Sequence, residues 1–185
     1  AAKADASRLP ALLAALDDAG PLAANWIRAA VEAVAERAVA AGDTSPAEAL
    51  EKFTLDVAHA PRARRLAYDS LVRFDPSAPD RLMPGFVDDP STELRREAIE
   101  RLVAAAEKET DATAKKSQLQ RAFAASRDVD QIADLKEKLK KLGVEVDVTR
   151  HYGFVTKWRV IGPFDNVGGK GFDTAYPPET EIRLD

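Results

Sequence analysis

The sequence predicts a mainly α fold: an α-solenoid of paired antiparallel helices, closed by a small C-terminal β segment of two or three short strands. Three observations carry this. Helical periodicity dominates from Ser7 to Leu142, a short Arg-led pattern recurs three times inside that span, and the periodicity ends at Gly143. The expected organisation is a helical repeat domain over 1–142 and a short β and loop segment over 143–185, the start of a truncated second domain.

The helices follow in order. Leu9, Leu12, Leu13 and Leu16 fall at i, i+3, i+4 and i+7 and make one apolar stripe. After a break at Gly20-Pro21 the pattern resumes from Ala23 to Val39. In DTSPAEAL (43–50), Ser45 can cap, Pro46 suits the first helical position, and Glu48 completes a capping box. The helix that follows carries Leu50, Phe53, Leu55 and Val57 and stops near His59-Ala60-Pro61. Arg62–Phe74 is the next, ended by Asp75-Pro76, and Ser77–Val87 is shorter. Asp89-Pro90 supplies a cap and a first-turn proline for a long helix reaching Lys108. Ala112–Ala125 and Val129–Leu142 complete the series, with Gly143 as the stop. Trp26, Phe53, Phe74, Phe86 and Phe123 sit at helical core spacing and are expected to be buried.

Beyond Gly143 the pattern changes. VEVDV (144–148) alternates with period two, FVTKWRVIGPF (154–164) is β-like and closes at Gly162-Pro163, and EIRL (181–184) can form a third strand. Three short strands do not make an independent sheet, so they need the helices or another chain to pack on.

Composition narrows the function. With 27 Lys and Arg against 31 Asp and Glu, the net charge of −4 argues against a nucleic-acid partner. No apolar run approaches the roughly 18 residues of a membrane span. The absence of cysteine removes disulfides, thiol nucleophiles and thiolate metal sites. The start AAKADASRLP, with no initiator Met and no apolar signal core, fits a chain after signal cleavage, or a trimmed one. A periplasmic or extracellular location is the expectation.

The recurring pattern is RAAVEAV from Arg28, RLAYDSL from Arg65 and REAIERL from Arg96, with the arginines 37 and 31 residues apart. Each Arg is followed two positions later by an alanine (30, 67, 98) that lets helices approach closely. Asp18, Asp56 and Asp89 precede them. A period of this length built from paired helices marks an α-solenoid. The segment RLMPGFVDDPSTELRREAIERLVAAA (81–106) resembles one HEAT repeat, and the resemblance extends at decreasing quality over 7–108. It implies that Asp89 and Arg96 tie neighbouring repeats together, with Asp18, Arg28, Asp56 and Arg65 at the equivalent places. Their simplest role is an architectural ion ladder.

WRVIGPFDNVGGKGFDTAYPPE (158–179) departs in composition from everything before it. Its GGKG is not a phosphate loop: a P-loop needs G-x-x-x-x-G-K-[ST] between a strand and a helix, and Pro177-Pro178 forbids the helix. On Trp158, Gly162, Pro163, Phe164, Gly171, Phe172, Asp173, Tyr176, Pro177 and Glu179 the stretch resembles the opening of galactose-binding-like β-sandwich modules in large exported bacterial proteins. That implies the start of a second fold whose sugar-contacting strands come later, so no carbohydrate-binding residue carries over. Trp158, Gly162, Pro163, Phe164, Phe172 and Tyr176 are expected to form the junction between helices and sheet.

No constellation for chemistry emerges. His59 and His151 lack partners at i+3 or i+4, and a metal site needs three or four convergent ligands. The pairs Asp17-Asp18 and Asp88-Asp89 suit helix ends better than a catalytic cleft. No cofactor is expected. The function expected is a non-catalytic scaffold or protein-interaction module of a larger exported protein, its partner another protein or the remainder of the parent chain. The alternative is an accessory region of an exported carbohydrate-active enzyme with catalysis elsewhere in the parent.

Overall fold

Proline and glycine punctuate the chain into helices, and a computed structural model shows where they begin and end for residues 5–160 and 162–176. The chain divides into two compact units, Ala1–Val148 and Thr149–Asp185. Among the described residues of the first, every regular element is a helix. A 3₁₀ turn (Ala6–Arg8) leads into α1 (Leu9–Ala14), and α2 (Pro21–Ala40), α3 (Ala47–Leu55) and α4 (Pro61–Phe74) follow. Next come α5 (Ala78–Leu82), a second 3₁₀ turn (Met83–Gly85), α6 (Thr92–Lys108), α7 (Ala112–Ala125) and α8 (Val129–Lys141).

Short loops fold consecutive helices back on each other, giving four hairpins: α1 with α2, α3 with α4, α5 and its 3₁₀ turn with α6, and α7 with α8. Along the stack α1 meets α3, while α2 meets α4 and α4 meets α6, so first helices and second helices form two layers. This is a mainly α, solenoid-like body. One continuous apolar cluster runs through it, from Leu9 and Leu13 through Val34, Leu50, Leu66 and Leu71 to Ile99, Leu119 and Leu139. Ala67 and Ala98 are buried where helices cross, and Ala30 is half-buried.

The helix ends differ from the sequence expectation in four places. Two are lengths: α3 stops at Leu55 rather than near His59, and the helix expected over Ser77–Val87 ends at Leu82 and gives way to the 3₁₀ turn Met83–Gly85. The Ser45–Glu48 capping box does not form, because Pro46 itself occupies the N-cap position of α3 and leaves Ser45 one residue outside. Asp43 instead accepts the Ser45 amide at 2.9 Å. The long helix α6 is capped by Ser91, which accepts from the Leu94 amide, so Pro90 precedes the cap rather than lying in the first turn. Gly143 does end α8: at φ 72° it turns the chain, and the Val144 amide reaches back to the Leu139 carbonyl at 3.0 Å.

Burial corrects the aromatic assignment at one site. Phe53 and Phe86 are buried and Phe74 and Phe123 pack half-buried on the core, but Trp26 is 71% exposed on the outer side of α2, with Leu22 beside it. Leu55 and Val57 are likewise exposed, since α3 ends at Leu55 and the apolar stripe ends with it.

The expected β segment is absent among the described residues. Val144 and Val146 rest half-buried on the core while Glu145 and Asp147 face water, so the alternation reports sidedness, but no second run pairs with it. The chain then enters a single helical turn, α9 (Val148–His151). Residues 154–160 and 162–164 carry no strand, and 181–184 lie outside the described residues. No described helix is long and apolar enough to cross a membrane.

Candidate functional site

The three arginines of the recurring pattern arrive side by side. Arg28 on α2, Arg65 on α4 and Arg96 on α6 line one open groove across the second-helix layer, together with Asp69, Glu93, Glu97 and Glu100. The recurrence of 37 and 31 residues is thus the length of chain needed to return to the same face one hairpin later.

Within the groove, Arg65 is clamped between neighbouring hairpins of the same layer. It donates to Asp69 one turn on at 2.9 Å and to Glu97 of α6 at 2.8 Å, with its guanidinium 5.5 Å from the Tyr68 ring centre. Glu97 also accepts from the Tyr68 hydroxyl at 3.1 Å. Burial opposes the Arg65 charge, but Asp69 and Glu97 outweigh it and hold its pKa above the ordinary value. Burial pushes Asp69 up, and Arg65 offsets this only in part. Burial and the neighbouring Glu97 carboxylate together raise Tyr68, which stays a protonated donor. Arg28 and Glu93 make no ion pair among the described residues, so the groove presents one free charge of each sign.

Arg96 extends the ladder to the last hairpin. It donates to Asp130 of α8 at 2.9 Å, lies 3.8 Å from Asp128, and pairs with Glu100 on its own helix at 3.2 Å. The Gln131 side-chain amide donates to the Arg96 carbonyl beside it at 3.0 Å. The hydrogen bonds from Arg96 lower the Asp130 pKa to about 2. A depressed carboxylate contributes stability that is fully present above the unfolded value of about 3.9 and is lost as pH falls through the folded value. Arg96→Gln is therefore expected to return Asp130 to the ordinary aspartate range. An NMR titration of its carboxyl carbon reads this directly, and an unchanged midpoint would show that the pair does not form in solution.

The remaining positions assigned from sequence lie next to, rather than in, the strongest contacts. Asp18 is exposed. Its neighbour Asp17 makes the link, with Oδ2 2.8 Å from His59 Nδ1 and Oδ1 accepting the Ala60 amide at 2.8 Å. Partial burial works against the Asp17 charge, yet His59 and that amide hold its pKa below the usual range. Arg62 reinforces the joint by donating to the Leu16 carbonyl at 2.9 Å. Asp56 ends α3 and accepts the Ala58 amide at 3.0 Å. Asp89 pairs not with Arg96 or Arg65 but with Arg64, at 2.8 and 2.7 Å. Arg64 is readable after the fact: it stands three, four and seven residues before Ala67, Tyr68 and Leu71, a charge on the buried stripe of α4.

In the second unit Trp158 is 76% exposed, and Gly162-Pro163 is a cis peptide. The Phe164 and Tyr176 rings meet at a tilt of 31° with centres 4.4 Å apart, and the Tyr176 hydroxyl donates to the Asp165 carbonyl. The GGKG stretch closes on itself. Asp165 accepts the Val167 amide and pairs with Lys170, and Asn166 accepts the Gly171 amide at 3.0 Å. Lys170 thereby holds Asp165 below the ordinary carboxylate range. The Phe172 side chain lies outside the described residues.

No protein-family model, no curated protein and no solved structure matches this chain.

Proposed function

We propose that the chain is a HEAT-like, non-catalytic helical repeat module, a scaffold or protein-interaction domain of a larger exported polypeptide. It holds a protein partner, or the remainder of its parent chain, against the groove of α2, α4 and α6. The observation that supports this reading is the convergence of Arg28, Arg65 and Arg96 from three successive hairpins on one groove. Pairing of Arg65 and Arg96 to neighbouring hairpins fixes the spacing of the second helices, while Arg28 and Glu93 remain for an incoming surface. Exposed charges of both signs set register and partner choice more than raw affinity.

The test is site-specific photo-crosslinking in producing cells, with the crosslinking residue at Glu93 in the groove and, as a control, at exposed Thr110 in the α6–α7 loop. Discrete adducts to a protein chain are expected at position 93 and not at position 110. Equal labelling at both positions, or none at either, would reject the groove as the contact face.

A further inference from the structure

A different part of the first unit carries a more specific recognition. α5 is five residues long: Pro79 lies in its first turn and Pro84, which has no N–H to continue the helix, diverts the chain into the 3₁₀ turn Met83–Gly85. The third hairpin consequently lacks a full first helix to cover α6. What remains is a cleft of about 220 Å³ between α5, the 3₁₀ turn, α6 and α7. Its walls are apolar, formed by Met83, Val87, Ala98, Leu102 and Ala105. Ligand pockets for drug-sized molecules span roughly 300–1,000 Å³. This one has room for a single large side chain, the anchor-in-pocket arrangement of interaction hot spots.

The rim decides what accompanies that anchor. Arg101 and Arg121 stand over the cleft with Asp80. Arg121 donates only to the Pro84 carbonyl, at 3.3 Å, and has no carboxylate within ion-pair distance among the described residues. Arg101 divides itself between Glu97 at 3.4 Å and Asp80 at 3.5 Å, both long contacts. The cleft lining thus carries two guanidiniums against one carboxylate, with Arg121 the one that no carboxylate pairs among the described residues, on a chain whose overall charge is −4. A basic segment would be repelled, and a neutral one would leave Arg121 without a carboxylate partner.

We propose that this cleft receives one large apolar side chain from an acidic segment of a protein partner, whose flanking carboxylates pair with Arg121 and Arg101. The inference rests on the interaction-module reading but uses another surface, so it can fail alone.

The single methionine of the chain lines the cleft, so a ¹³C-methyl methionine label gives one NMR signal, from Met83. The full chain is titrated with a pentapeptide carrying a central phenylalanine between two pairs of acidic residues. Control peptides have lysines in place of the acids, or alanine in place of the phenylalanine. A saturable shift of the Met83 signal is expected with the acidic phenylalanine peptide alone. Binding should weaken at least about tenfold in Arg121→Gln, from the loss of a charge-assisted pair. It should disappear in Ala105→Trp, where the new ring fills the cleft from an exposed position. No shift with the acidic peptide, or equal binding of the lysine peptide, overturns the proposal. So does a signal that moves with protein concentration alone, which would make a second copy the occupant. Crosslinking at position 93 with a silent Met83 would reject the cleft and leave the groove reading standing.

Discussion

Arg64→Met is expected to cost about 3–5 kcal/mol, read as a lowered midpoint in urea unfolding followed by helical circular dichroism. Arg64 is 1% exposed and Asp89 7%, so the substitution strands a carboxylate that water barely reaches. The guanidinium also donates through Nε to the Thr54 carbonyl at 2.8 Å, and that group loses its partner too. The Asp89 carboxylate keeps only the Ser91 amide at 2.7 Å. The double variant Arg64→Met/Asp89→Leu removes both charges and should lose markedly less than the sum of the single changes, because most of the penalty is the orphaned charge rather than the missing attraction. A loss below about 1 kcal/mol in Arg64→Met, the value of an exposed pair, would mean that solvent enters this joint.

Leu139→Ala should destabilise by about 2–5 kcal/mol through the cavity it leaves. Leu139 is fully buried on α8, in the last hairpin of the stack. In a chain of hairpins each mainly contacting its neighbours, stability is close to a sum of local terms. The loss should therefore appear first as faster amide hydrogen exchange in α7 and α8, while α1 to α4 keep their protection. Uniform acceleration across all helices would show that the body unfolds as one unit and would contradict the hairpin-by-hairpin picture.

The two substitutions probe features of unequal visibility in the sequence. Leu139 belongs to a 3.6-residue apolar pattern, and such patterns, with Pro21, Pro61 and Gly143 as punctuation, place most of the helices. The arginine recurrence leads directly to the groove, since a position repeated once per hairpin returns to the same face. The partners of those arginines are another matter. Which carboxylate a side chain meets depends on helix offset by a single residue, and so Asp17 rather than Asp18 reaches the next hairpin, and Arg64 rather than Arg65 or Arg96 meets Asp89. Period-two alternation at 144–148 correctly divides inward from outward residues, yet a strand also requires a partner, which local pattern does not specify. The single helix expected over Ser77–Val87 hides the cleft beside α6, since the stop at Pro84 matters only through what it leaves uncovered.

The placement of the tryptophans has an optical consequence. The chain has two, Trp26 on α2 and Trp158 in the second unit, and both stand largely in water. Their indole emission is that of hydrated rings in the folded protein and stays so when the helices melt. Intrinsic fluorescence is consequently a poor gauge of unfolding here. It is a good gauge of contact: anything that settles on the outer side of α2 dehydrates Trp26 and moves the emission to the blue, with the core unchanged.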